Sequence, residues 1–329
     1  MRCNLSCSFC DTTYRHKAAK DELSISEWIR IVEDAAKIGV KQVYVLGGGE
    51  PFLKKNILSL LKTIKKHGMY GMITTNGSLI DAQLSQALLD MNWDEIHFSI
   101  DGSNAETHDT LRGQHGSFRK AVQTACRLST MRERYNKTTP RIVIHTVVTN
   151  QNYTELPAIV SLAHAIKASR VDFDSLIAYR PEQNKLQLTP AQQRHLPRIA
   201  KEAHERATEF QIETTLQNFL QSDRVERGHR LPAADKKRKG LSGAPCLKAW
   251  HHLVIQNDGK TAPCCVLSGS GGSIKGTTVS ELWIEDTFLK RVRSAMEAHN
   301  PIDRCRECSW NILRHEAEIR KHLPENSER

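Results

Sequence analysis

The feature that most constrains this chain is a strict alternation in its first half. Short β-type apolar runs at 42–46, 71–74, 95–100, 141–148 and 170–177 alternate with helical patterns at 26–38, 56–67, 81–91, 117–134 and 155–168. Strands separated by helices and short loops cannot pair as hairpins. They form a parallel sheet with the helices as crossovers. Ser24, with Glu27 three residues on, reads as a capping box opening the first helix. The pattern predicts an α/β fold whose parallel sheet is closed or half-closed as a barrel. In such folds chemistry gathers at the C-terminal ends of the strands, so the loops after these runs are where functional residues are expected.

After residue 179 the rhythm stops. A long polar helix is expected over 189–209, opened by Thr189 and Pro190, and 223–243 reads as a basic connector punctuated by Gly and Pro. Residues 253–262 read as a small hairpin turning at Asn257, Asp258 and Gly259. Three regions follow: 1–180 as the barrel, 181–244 as helix and linker, and 245–329 as a cysteine-rich module holding five of the nine cysteines.

The hydrophobic fraction of 39% and charged fraction of 26% exclude a mainly disordered or fibrous chain. No run approaches the roughly 20 apolar residues of a membrane span. No basic-then-apolar leader opens the chain, so a cytoplasmic location is expected. In a reducing compartment nine clustered thiols point to metal binding or catalysis rather than disulfides. The net charge of +10 fits either a solvated basic surface or an anionic partner. Its densest run, 235–239, lacks the interleaved aromatics of single-strand binders, and nucleic acid is not expected as a partner.

Cys3, Cys7 and Cys10 form a C-x3-C-x2-C motif. Three thiolates on one short loop can hold three irons of a cubane and leave the fourth open to a small molecule, whereas electron-carrying clusters use four cysteines. A zinc site completed by a residue such as His16 is the bland alternative. The spacing, with Phe9 directly before the third cysteine, resembles the signature of the radical S-adenosylmethionine (SAM) superfamily. Three further segments agree, each after a predicted strand: Gly48-Gly49-Glu50-Pro51, Thr75-Asn76-Gly77, and Ser99-Ile100-Asp101-Gly102 with Arg112 beyond it.

The resemblance covers residues 1 to about 180 and implies a partial (β/α)6 TIM-like barrel with a SAM-binding 4Fe–4S cluster. It implies that Gly48, Gly49 and Glu50 meet the amino end of SAM. Ser99 and Arg112 would meet its carboxylate, and Asn76 and Asn150 its ribose or adenine. Family members carry a strand before the cysteine loop, and here only Met1 and Arg2 precede Cys3. The first strand is therefore expected to be missing, with the reading frame continuing upstream.

Cys246, Gly259, Cys264 and the pair Cys305 and Cys308 resemble the SPASM modules, and their shorter Twitch form, that hold auxiliary clusters in many radical SAM enzymes. The resemblance implies one auxiliary 4Fe–4S cluster on Cys246, Cys264, Cys305 and Cys308, while four cysteines with a C-x2-C pair also suit zinc. Adjacent residues on a strand face opposite ways, so Cys265 is expected to pack rather than ligate. Cys126 is expected to be a small buried hydrophobe, and Trp250, Trp283 and Trp310 to belong to cores.

The resemblance implies an enzyme that cleaves SAM reductively and abstracts hydrogen from a substrate C–H bond. It would take electrons from a donor such as flavodoxin or ferredoxin. The expected reaction is oxidation or dehydrogenation of a small polar or anionic molecule, with electron transfer to the auxiliary cluster. Peptide or protein modification of the maturase kind is the alternative. A non-catalytic iron–sulfur or zinc protein is the reading of another class. Asp172, Asp174, Tyr179 and Arg180 lie near the end of the last predicted strand, where they would face substrate.

Overall fold

The computed structural model describes residues 2–10, 21–178, 180–220, 246–298, 300 and 302–306. The chain divides into two compact units, 1–228 and 229–329. The first is built on six parallel strands, β1 (Gln42–Val45), β2 (Tyr70–Thr75), β3 (Glu95–Ser99), β4 (Arg141–Val148), β5 (Arg170–Ser175) and β6 (Glu213–Thr214), in the spatial order of the sequence. Each crossover carries helix: α2 (Ile57–Lys66), α3 (Ala82–Asp90), α4 (Ala105–Arg112) with α5 (Ser117–Arg134), α6 (Leu156–Ile166) and α7 (Pro190–Glu209), while α1 (Ile25–Lys37) precedes the sheet.

All five expected strands and their helices are present. Ser24 caps α1, accepting from the Glu27 amide at 3.2 Å while its own amide donates to the Glu27 carboxylate at 2.7 Å. Among the strands and crossover helices of this unit, two were not expected. One is α4, whose mean composition is polar. The other is the two-residue strand β6, too short to leave an apolar signature, which pairs with the start of β5. The helix expected as polar over 189–209 forms as α7, with Thr189 and Gln192 as a capping box. It nonetheless buries a stripe of Leu196, Ile199, Ala200, Ala203 and Ala207, mostly small residues that weigh little on a hydropathy count. Among the described residues β1 lies at one end of the sheet and pairs with β2, and Tyr44 and Leu46 beside that edge are exposed.

Strands β2 to β5 bury one face. Ile73, Ile96, Phe98, Ile142, Ile144, Val171 and Phe173 share a core with Leu61 and Ile64 of α2, Leu88 and Leu89 of α3, Leu128 of α5 and Ile159 and Val160 of α6. Because side chains alternate along a strand, the residues between them point to the other, inner face. Those residues include Glu95, His97, Ser99, His145, Arg170, Asp172 and Asp174. Helices cover the apolar face, and the polar face is left for the site.

The second unit holds a hairpin of β7 (Val254–Ile255) and β8 (Thr261–Ala262), closed at Gly259 in the left-handed region at φ +90°. Asp258 accepts from the Lys260 amide at 3.0 Å and fixes the turn. Helices Val279–Glu285 and Thr287–Glu297 pack beside it, and Ala249, Ala262, Leu267, Leu289 and Val292 form its small core. Among the described residues no helix is long and apolar enough to cross a membrane. The connector expected over 223–243 lies outside the described residues.

Gly71 on β2 lies flat against the fully buried indole of Trp93, and a Cβ there would overlap the ring. Gly71→Ala is expected to lower unfolding stability by about 1–3 kcal/mol, the usual cost of overpacking a core. Urea denaturation of the metal-free protein checks this, and an unchanged midpoint would show that Trp93 can move aside.

Candidate active site

The cysteine loop is docked by backbone hydrogen bonds. The amides of Ser6 and Ser8 donate to the carbonyls of Arg112 and Leu111 at 3.2 and 2.9 Å, at the C-terminal end of α4. Gly113, at φ +64°, caps that helix, and a Cβ on it would strike the Ser6 carbonyl. A glycine is needed there both for its conformation and for the close approach of the loop. From the other side Arg2 accepts from the Glu50 amide at 2.9 Å. Asn4 bridges to Asn76 and Ser78, beyond β2, at 3.0 and 2.8 Å. Within the loop the Cys10 amide donates to the Cys7 carbonyl at 3.2 Å, turning the chain between the second and third cysteines.

Burial raises the Cys3 thiol, with the charges of Glu50 and Cys10 adding to the rise. Cys7 is the buried member of the three. Burial pushes it up to about 11, against the pull of the Arg112 guanidinium.

Gly47, Gly48 and Gly49 follow β1 with φ of +32°, +76° and +149°, conformations that side chains with a Cβ rarely adopt. They present bare backbone. Glu50 behind them is buried, and its carboxylate is fully engaged by the protein. It accepts from Thr75 Oγ1 at 2.7 Å, the Asn76 amide at 2.8 Å and the Phe52 amide at 3.2 Å. Its side chain therefore braces the loop after β1 against the loop after β2. Burial raises its pKa, and these donors restrain the rise.

Arg112 is buried at the last turn of α4, in an ion pair of its Nε with Asp101. Its Nη1 donates to Cys7 Sγ at 3.7 Å, and its guanidinium lies 5.3 Å from the centre of the Phe9 ring. Ser99, at the end of β3, is buried and pairs in register with His145. Asn76 uses its side chain within the protein, donating to Asn4 and accepting from Ser78. Asn150 donates to the Lys185 carbonyl at 2.8 Å, and its Oδ1 is buried with no protein donor. Arg180 reaches the Cys10 carbonyl at 3.5 Å. Cys126, expected to be buried, packs against the core but is half-buried. Tyr179, His16, Trp310 and Cys308 fall outside the described residues.

Sequence reasoning missed the inner face as a unit. His145 Nε2 bonds Asp174 Oδ2 at 2.8 Å. Burial opposes the charged imidazole, but the hydrogen bond and charge of Asp174 outweigh it and raise the His145 pKa. One layer away, Arg170 meets Glu95 at 3.1 Å and Asp172 at 3.0 Å, Tyr70 donates to Glu95 at 2.9 Å, and His97 lies 2.5 Å from Glu95. Burial would raise Glu95, yet His97 and Arg170 bring it down to about 2. The signal was present as a two-residue alternation, Glu-Ile-His-Phe-Ser in β3 and Arg-Val-Asp-Phe-Asp in β5.

In the second unit Cys246, Cys264 and Cys305 are half-buried, and the latter two pack on the small core together with Trp250 and Trp283. The expected reason for separating Cys264 from Cys265 needs correcting. Neither residue is on a strand, because β8 ends at Ala262 and Cys265 opens a 3₁₀ turn, Cys265–Leu267, with Cys264 as its N-cap. There the amides of Leu267 and Val266 donate to the Cys264 sulfur, although burial still raises it. Cys265 is exposed.

Residues 1–163 match the family model described as the radical SAM superfamily, and residues 246–309 match that of an iron–sulfur cluster-binding domain, SPASM. The chain is a radical SAM protein with a C-terminal SPASM module. It is 26% identical to a PqqA peptide cyclase of Granulibacter bethesdensis, over 96% of this chain and 80% of the relative. It is 23% identical to an AdoMet-dependent heme synthase of Methanosarcina barkeri, over 90% and 83%. Streptococcus suis SuiB bound to SAM superposes with a TM-score of 0.67 at 18% identity, over 89% of this chain and 66% of SuiB, just under two thirds of its length. That likeness shows a common fold.

A radical SAM protein with a SPASM module takes a SAM-binding 4Fe–4S cluster and an auxiliary cluster. The residues present fit the first. Three thiols lie on one short loop, one of them against a guanidinium, three glycines after β1 expose backbone, and Asn150 Oδ1 is buried with no protein donor. Among the described residues no three ligating side chains close around a single ion. A cubane asks for wider spacing, since each thiolate binds its own iron.

Amide donors and burial distinguish Cys264 from the exposed Cys265. Cys265→Ala is expected to keep full iron content, and Cys264→Ala to lose about four irons per chain, one cubane. Iron and sulfide assays after anaerobic reconstitution decide it; equal losses would place both sulfurs at the metal.

Proposed function

We propose that this radical SAM protein oxidises a side chain of a peptide substrate. The chemistry rests on Cys3, Cys7 and Cys10 carried by one short loop docked on α4, with Cys7 against Arg112, and on the bare backbone of the glycine loop. The substrate class rests on similarity over 96% of the chain to a protein named as a peptide cyclase, and on the shared fold of SuiB, solved with its precursor peptide SuiA. When bound, SAM on the first cluster supplies a 5′-deoxyadenosyl radical that takes a hydrogen atom from a C–H bond, and the auxiliary cluster supplies a place for the remaining electron.

The protein's own residues hold and orient. Cys3, Cys7 and Cys10 ligate, with Cys246, Cys264, Cys305 and Cys308 as the auxiliary set. The backbone of Gly48, Gly49 and Glu50 receives the SAM amino group, and Ser99 and Arg112 receive its carboxylate. Asn150 offers Oδ1 to an adenine or ribose donor, while Asn76 holds the cysteine loop. Loss of a hydrogen atom and an electron leaves one proton to be removed. His145, bonded to Asp174 on the inner face, is our candidate for its acceptor. His145→Phe should then retain SAM cleavage while product formation slows; undiminished product would remove His145 from the mechanism.

A small-molecule substrate is the second reading, favoured by the similarity to a heme synthase over 90% of the chain. Reconstituted anaerobically with dithionite and SAM, the protein is expected to form 5′-deoxyadenosine. Replacing Cys3, Cys7 and Cys10 together by Ala should abolish this and leave the auxiliary iron in place. Iron content unchanged by the triple substitution would defeat the assignment. Co-expression with short peptides encoded beside the gene should yield a peptide lighter by a pair of hydrogens. Turnover stimulated by a tetrapyrrole but by no such peptide would move the substrate to the second class.

A further inference from the structure

Arg112 stands between two buried groups. Its Nη1 approaches Cys7 Sγ at 3.7 Å and its Nε pairs with Asp101. Asp101 is wholly buried and its other oxygen accepts from the Val147 amide of β4 at 2.8 Å. Its own amide donates to His108 Nδ1 at 3.1 Å, and its carbonyl accepts from Asn152 at 2.8 Å. Burial and the nearby guanidinium bring His108 down to about 4, so it stays neutral and adds no charge. The carboxylate is therefore fixed, and with it the guanidinium, whose flank lies on Phe9. The result is an immobile dipole with its positive end on the sulfur of Cys7 and its negative end turned away.

We propose that the Asp101–Arg112 pair sets the reduction potential of the cluster held by Cys7, Arg112 raising it and Asp101 lowering it. Potentials of iron–sulfur clusters follow net charge, hydrogen bonds to the sulfurs and solvent exposure, and all three converge here. A guanidinium hydrogen-bonded to a ligating thiolate favours the added electron, and the low dielectric of a buried site enlarges that preference. The carboxylate opposes it from the far side of the same side chain. Arg112 is thus a tuning residue as well as a contact for the SAM carboxylate, and binding of that carboxylate would offset part of its charge at the sulfur.

The inference rests on Cys3, Cys7 and Cys10 being the ligands of the SAM cluster, and the test separates the two. The full chain is reconstituted anaerobically and titrated with dithionite, following the reduced cluster by electron paramagnetic resonance. The spectrum of the Cys3, Cys7 and Cys10 triple Ala variant is subtracted as the auxiliary contribution. If the triple variant loses no signal, the ligand assignment fails. If it does, Arg112→Gln should shift the midpoint of the remaining signal to more negative potential. Asp101→Asn should shift it to less negative potential, and Arg112→Lys should lie between wild type and Arg112→Gln. The auxiliary midpoint, read in the same samples, should not move. General loosening of the site would shift both variants the same way, so shifts of one sign, or no shift with the cluster intact, overturn the proposal. Should Asp101→Asn fail to fold, the ordering of wild type, Arg112→Lys and Arg112→Gln still decides it.

Discussion

The constraint on which the structure depends is the two-residue period of its strands combined with helices on one face. Parallel strands covered on both faces are apolar throughout, because nothing polar can be left unpaired there. Here the odd-numbered positions of β2 and β5 and the even-numbered positions of β3 and β4 meet helices, and these carry Ile73, Val171, Phe173, Ile96, Phe98, Ile142 and Ile144. The intervening positions are free to be polar and become Glu95, His97, Ser99, His145, Asp172 and Asp174. The same register that closes the core therefore makes the inner face polar, and a slip of one residue would exchange the two.

Two buried carboxylates then turn strand ends into a site. Glu50 and Asp101 follow β1 and β3, and each ties its loop to a neighbouring strand, Glu50 through the Asn76 amide and Asp101 through the Val147 amide. They differ in their other partners. Glu50 receives only neutral donors, so it braces the glycine loop without bringing a cation. Asp101 spends its second oxygen on Arg112, so it delivers a positive charge to the cysteine loop. The position after a strand is the same in both cases, and the partner decides whether the carboxylate is structural or electrostatic.

Much of this is legible in the amino-acid sequence. Period-two and period-3.6 patterns place five strands and their helices, and the Ser24 capping box marks the start of α1. The glycine-bearing segments fall at the ends of β1, β2 and β3, and the cysteine loop docks on α4, because backbone approach and thiol spacing leave marks in the sequence. What escapes has no local mark. β6 spans two residues, and α4 buries Leu111 as its one apolar core side chain. The Asp174–His145 pair and the Arg170–Glu95 pair join residues 29 and 75 positions apart, a closeness that only sheet register creates. Cys264 and Cys265 are separated by a 3₁₀ turn and not by alternation along a strand.

The electrostatics of Cys7 connect these levels. Its thiol is held near 11 by burial, and the charge of Asp101 adds to the rise while Arg112 opposes it. At neutral pH the thiol therefore keeps its proton, and a ligating metal must displace it, so binding grows weaker as pH falls. Burial works against charge at that sulfur, and burial cannot be relaxed without opening the site to water. Arg112 is the counterweight, and it can act only because Asp101 anchors a guanidinium that would otherwise be costly to bury. The potential that eases loss of a proton from Cys7 is the same potential that eases arrival of an electron on whatever Cys7 holds. A single ion pair, fixed by one amide of β4 and the last turn of α4, thus bears on both assembly of the site and its readiness to be reduced.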